Sequence, residues 1–84
     1  MQNQQAIVLL TTKATCSRSG LSRTGLYRKL NEGRFPQPAK IGNLNYWGEH
    51  EVNEINRAVL AGKTDEEIKK IVRKIEAARV AVEV

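Results

Sequence analysis

Gly20 separates two short helix-compatible segments, and the residues around it leave few ways for those segments to meet. The first begins near Thr11 or Thr12, either of which can cap a helix, and runs through Thr15 and Cys16 to about Ser19. Gly20 permits a tight turn, Leu21 drops towards a core, and Ser22 is a good N-cap for a second helix that continues to Glu32 and stops at Gly33. Cys16, small and four residues before the glycine, sits where the helices would cross. Leu21 and Leu26 bracket the start of the second helix and pin it to the first. Two helices joined at an open angle, with the second protruding, is what this spacing predicts.

After Gly33 the pattern changes. Pro36 and Pro38 forbid helix, and Ile41, Gly42, Asn43, Leu44, Asn45 and Tyr46 read as two short strands around a turn, a candidate wing. A third helix is expected from about Glu49 to Ala61, with Val52, Ile55 and Val59 on its inner side and Gly62 closing it. A fourth starts with a capping box of Thr64 and Glu67 and carries Ile68, Ile71, Val72, Ile75 and Ala78 along one stripe, with Glu66 and Lys70 paired on its outer face. The expected fold class is mainly α with a small β-wing: a winged helix-turn-helix plus a C-terminal amphipathic helix. Residues 1–8 are read as a flexible start, 9–61 as the winged unit, and 62–84 as the added helix, packing on the core or forming a dimer.

Composition narrows the function classes. An 84-residue chain buries a thin core, so every apolar residue counts. One cysteine and one histidine assemble neither an internal disulfide nor a zinc site of nitrogen and sulfur ligands. No cofactor or catalytic set is expected: Asp65, Glu66 and Glu67 are explained by the dipole of the helix they start, and no nucleophile is paired with a base. No apolar run reaches bilayer length, and Ala6 to Leu10 is too short for a signal-peptide core. The expected setting is therefore cytoplasmic, at the nucleoid, without membrane contact.

The net charge of +5 is unevenly spread: residues 1–47 carry +6, residues 48–64 carry −1, and residues 65–84 are neutral. A solvated surface with surplus lysines accounts for that balance alone, so spacing must decide. On a helical wheel Leu26 and Leu30 point inward, whereas Thr24, Arg28 and Asn31 lie opposite, Tyr27 flanks them, and Ser22 and Arg23 occupy the exposed first turn. Arginine can donate two hydrogen bonds to a guanine edge, asparagine can pair with adenine, and threonine can touch a thymine methyl. The free N–H groups at Ser22 to Thr24 suit a phosphate.

The stretches Gly20-Leu-Ser-Arg-Thr-Gly-Leu-Tyr-Arg28, Glu32-Gly-Arg-Phe-Pro-Gln-Pro38, Lys40-Ile-Gly42, and Trp47 followed by Glu51-Val52 resemble the AlpA-type regulators of prophages and integrated elements. These are relatives of the excisionase and MerR-type winged helices. The resemblance spans roughly Leu9 to Asn56. It implies a recognition helix at Ser22 to Glu32, a wing around Gly42 to Asn45, and a role in phage or mobile-element transcription, excision, or both. Ser22, Arg23, Thr24, Tyr27 and Arg28 match the DNA-facing helix, and Lys40 matches a basic position leading into the wing. The chain departs from the pattern in three places: Asn43 and Asn45 stand in a shorter wing where arginine is usual, Gly25 replaces a better helix former, and Lys29 replaces an apolar residue.

The expected DNA contacts are therefore Ser22, Arg23, Thr24, Tyr27, Arg28, Asn31, Arg34, Lys40, Asn43 and Asn45. The implied partners are double-stranded DNA, a site-specific recombinase if the role is excision, and a second copy in a homodimer or cooperative assembly. A different class of function stays open at this point. The stripe Ile68 to Ala78 is also what a protein-interaction helix would carry, docking on a regulator or a recombinase.

Overall fold

The computed structural model describes residues 7–81, so most of the expected flexible start, residues 1–8, lies outside the described part. In chain order the elements are β1 (Leu9–Thr11), α1 (Thr12–Ser19), α2 (Arg23–Asn31), β2 (Ala39–Ile41), β3 (Leu44–Gly48), α3 (Glu49–Leu60) and α4 (Asp65–Ala81). This is the winged helix-turn-helix arrangement, four helices and a small antiparallel sheet. The sheet order is β1-β3-β2, with Leu10 opposite Trp47 and Lys40 opposite Asn45. Strand β1 was not expected. Three residues show no alternation of their own, and they become a strand only because β3, far along the chain, offers them a ladder.

Local chemistry fixes the helix ends. Thr11 caps α1, its hydroxyl accepting from the Ala14 N–H at 3.1 Å. Gly20 ends α1 at a left-handed φ of 74°, which brings the Leu21 N–H onto the Cys16 carbonyl at 3.1 Å and reverses the chain towards α2. Thr64 and Glu67 form the expected reciprocal box, with Thr64 N–H to Glu67 Oε1 at 2.8 Å and Glu67 N–H to Thr64 Oγ1 at 3.1 Å. The hydrogen bond from the Thr64 N–H, and after it the Thr64 hydroxyl near the carboxylate, hold the Glu67 carboxyl below the usual carboxylate range.

The core gathers Leu10, Leu26, Leu30, Phe35, Trp47, Val52, Ile55, Ala58, Ile68, Val72 and Ile75. Phe35 and Trp47 meet edge to face at 6.2 Å, and the buried indole N–H donates to the Pro36 carbonyl at 2.7 Å. The loop after α2 is thereby fastened to the central strand. Two expected positions are corrected. Ala58 rather than Val59 faces inward from α3, because the inward arc runs through Val52, Ile55 and Ala58, leaving Val59 exposed. Ala78 is exposed too, while Ile68, Val72 and Ile75 are buried and Ile71 packs partly against them. On the outer face of α4, Glu66 pairs with Lys69 at 3.6 Å, one residue nearer than the expected Lys70.

Glu51 joins three parts of the molecule. Its carboxylate accepts from the Gly48 N–H at 3.1 Å, capping α3, and from the Arg79 guanidinium at 2.6 and 2.7 Å. Arg79 also donates to the Gln37 carbonyl at 2.7 Å. The end of α4 is thus tied to the start of α3 and to the Pro36–Pro38 loop. Burial pushes the Glu51 carboxyl up, but the hydrogen bonds from Arg79 and Gly48 and the charge of Arg79 outweigh it, holding the group below the usual carboxylate range.

Candidate nucleic-acid interface

Helix α2 is short, and its two leucines decide its orientation. Leu26 and Leu30 are buried against the core, so the opposite arc must face solvent. Ser22 caps it, with the Gly25 N–H on Ser22 Oγ at 3.0 Å. A Cβ at Gly25 would lie 3.2 Å from that same oxygen, so the glycine leaves room for the cap. The N–H groups of Arg23 and Thr24, in the first turn, have no carbonyl to reach within the helix. The N-terminus therefore presents donors and the positive end of the helix dipole.

Arg23, Thr24, Tyr27, Arg28 and Asn31 line one shallow, open depression along the exposed side of α2. All five are exposed, and Ser22 sits at the same end. These are the residues that helical periodicity puts on one arc, and the fold turns that arc outward.

The wing approaches this arc through one contact. Strands β2 and β3 are joined by the two-residue turn Gly42-Asn43, in which Gly42 has a φ of 64° while Asn43, like every non-glycine residue of the described chain, has a negative φ. That combination is the signature of a hairpin turn of type II′. Asn45 on β3 donates from Nδ2 to Tyr27 Oη at 3.5 Å. Lys40 lies directly across the ladder from Asn45, on the same sheet face. Lys40 and Asn43 are exposed, while Asn45 is half-buried with its Oδ1 enclosed and without a partner.

Arg34 is not brought to this arc. Its guanidinium is held between Glu32, at 2.5 and 3.0 Å, and Asp65, at 3.0 Å, and its side chain lines a groove on the other side of α2 with Lys29, Phe35 and Ile68. Its hydrogen bonds to the Glu32 carboxylate, helped by Asp65, raise its pKa in spite of desolvation. Asp65 is 31 residues away in sequence, so no local pattern announces this strut. Arg18, on the α1 side of the Gly20 turn, is paired with Glu49 at 2.9 Å.

The α2 arc with Lys40 therefore gathers three cations, Arg23, Arg28 and Lys40, without a carboxylate among its lining residues. Among the described residues no group of three metal-ligating side chains is assembled, and no helix is long and apolar enough to cross a membrane. What the arc offers chemically is hydrogen-bond donors, positive charge and one aromatic ring on a convex helix. Such a surface fits a grooved polyanion better than a small molecule.

Compared with known proteins, residues 9–57 match the family model described as Prophage CP4-57 regulatory protein (AlpA). No curated protein and no solved structure matches the chain.

Proposed function

From the premise that this chain belongs to the AlpA family of prophage regulatory proteins, we propose that it binds double-stranded DNA sequence-specifically, with α2 in the major groove. Its output is transcriptional regulation of a prophage or mobile element, or direction of recombination as an excisionase acting with a recombinase. The observation that carries this reading is the convergence of Arg23, Thr24, Tyr27, Arg28 and Asn31 on one open side of α2.

Each residue then has a role. Arg28 and Asn31, deepest along the helix, read base edges, with Thr24 beside them. Ser22, Arg23 and the free N–H groups of the first turn hold a phosphate and set the register. Tyr27 rests on the wing, and Lys40 and Asn43 meet the backbone next to the groove. Asn45 acts through Tyr27 instead of the DNA. Arg34 serves as a strut between α2 and α4. A protein partner taking the α4 stripe would first have to pull Ile68, Val72 and Ile75 out of the core, so that stripe is assigned to folding.

The test is selection of bound DNA from a random pool, followed by footprinting at the recovered sites. A recurring short motif is expected, with affinity falling steeply as salt rises. Arg28→Ala should weaken binding by roughly ten- to a hundredfold and relax preference at one position, as loss of a bidentate base contact does. Promoter sites would identify a regulator, and repeated sites beside an attachment site an excisionase. A pool that shows no enrichment would refute the proposal.

A further inference from the structure

The sheet carries its polar and apolar residues in an unusual sense. Side chains alternate across a strand, so Lys40, Asn45, Trp47 and Leu10 lie on the face towards α2 and the core. Leu9, Thr11, Ala39, Ile41, Leu44, Tyr46 and Gly48 are left on the outer face, Thr11 being the one polar side chain among them. An antiparallel sheet with one face in water normally shows polar residues there. Here Leu9, Ile41 and Leu44 are 51, 54 and 59% exposed, and Ile7, just before β1, is 65% exposed.

This face continues into a cleft of about 410 Å³ beneath the end of α4, bounded by Ile7, Leu9, Ala39, Tyr46, Ile75 and Ala78. Gly48 lies at its floor, where a Cβ would run into the His50 ring at 2.8 Å. The charges at its border largely cancel, because Glu51 and Arg79 neutralise each other; Glu54 alone is left at the rim. Such a surface has nothing to attract DNA, and it lies on the side of the hairpin opposite Lys40 and Asn45.

We propose that this outer sheet face is the surface on which a second copy of the chain docks, the two sheets packing face to face about a two-fold axis. Area and charge favour that occupant. Ile7, Leu9, Ile41 and Leu44 each keep half or more of their surface open, on the order of 500 Å² per copy and so among the larger patches a monomer shows, and two copies that bury all of it reach the roughly 1,000 Å² lower limit of a specific interface. A two-fold contact uses the same patch twice, so an apolar, nearly uncharged face complements itself. Packed sheets keep the α2 arcs of both copies free, since those arcs lie across each hairpin from the contact.

The experiment is sedimentation equilibrium of the full chain without DNA, from about micromolar to about 10⁻⁴ M, which spans association free energies of weak, reversible contacts. The expected mass rises towards twice 9.4 kDa with concentration. Leu44→Glu and, separately, Ile41→Lys should hold the mass at the monomer value with an unchanged far-ultraviolet spectrum, because both sites are at the exposed hairpin end. Leu60→Glu, at an 87% exposed site on α3 outside this face, should leave the association intact. A wild-type chain that stays monomeric throughout overturns the proposal, whether the face is covered by another part of the chain or by a different protein. So does a folded Leu44→Glu or Ile41→Lys variant that associates as strongly as wild type. No arm involves DNA, so failure of the DNA-binding reading would leave the result unaffected.

Discussion

Replacing Arg79 with alanine tests whether the end of α4 is held by charge. In the folded chain Arg79 makes two charge-assisted bonds to Glu51 and one to the Gln37 carbonyl. The Glu51 side chain is 6% exposed and that of Arg79 28%, so the variant leaves a carboxylate short of water and of its cation. Breaking a buried pair from one side costs about 3–5 kcal/mol. Glu51 keeps its Gly48 N–H bond, and the arginine is partly solvated, which brings the expected loss to about 2–3 kcal/mol at pH 7. For a domain of this size that corresponds to a fall in Tm of about 10–20 °C. The pH dependence gives the sharper readout. Folding lowers the pKa of Glu51, so below the ordinary carboxylate value the unfolded chain takes up the proton first, and acid removes the stabilisation that the pair supplies. That stabilisation is complete above the unfolded value near 4.3 and fades as pH falls through the lower folded value. The difference between wild type and Arg79→Ala, measured by urea unfolding followed at Trp47, should therefore be largest at neutral pH and shrink in acid. A difference below about 0.5 kcal/mol at pH 7, the ordinary range for a surface change, would refute the reasoning. A large difference that does not change between pH 7 and pH 3 would show that alkyl packing of Arg79, and not its charge, holds the helix.

Truncation after Gly62 should abolish cooperative unfolding, because it removes Ile68, Val72 and Ile75 from the core. At about 1.5–3 kcal/mol each this approaches the whole stability of a small domain; a truncated chain with a sharp transition and a native near-ultraviolet spectrum would contradict the packing assigned to α4. Ser22→Ala should cost about 1 kcal/mol by orphaning the Gly25 N–H, whereas Ser22→Gly should cost only a few tenths; denaturant midpoints that rank the two variants the other way would reject the cap.

The elements set by short-range chemistry were legible in the sequence. Thr11 or Thr12, Ser22 and Thr64 marked where helices begin, Gly20, Gly33 and Gly62 marked where they stop, and Leu26 with Leu30 told which side of α2 turns outward. What escaped was long-range. Strand β1 exists through β3, and the Arg34–Asp65 and Arg79–Glu51 pairs join residues 31 and 28 apart, spacings at which sequence pattern carries no information. The placement of Arg34 shows the consequence: as a basic residue after a recognition helix it reads as a DNA contact, yet geometry gives it two carboxylates of its own. Val59 and Ala58 show a smaller limit, since a larger apolar residue on the border of the inward arc outranks alanine by hydropathy but not by angle. The outer sheet face left a sequence signal in the parity of Ile41, Leu44 and Tyr46 against Lys40, Asn45 and Trp47.

The order of the sheet also governs how the molecule assembles. The hairpin of β2 and β3 closes through a two-residue turn and forms fast, on the scale of microseconds. Strand β1 can join only when the chain between Thr11 and Tyr46, which contains both helices of the helix-turn-helix, has been gathered into a loop. That closure is entropically late, and it fixes the strand residue Thr11, whose hydroxyl starts α1. The helix-turn-helix is therefore expected to acquire full protection against amide exchange only after the wing has formed. A force applied at the wing tip would travel along β3 to the Thr11 cap of α1, making the central strand a lever between the hairpin and the helix-turn-helix.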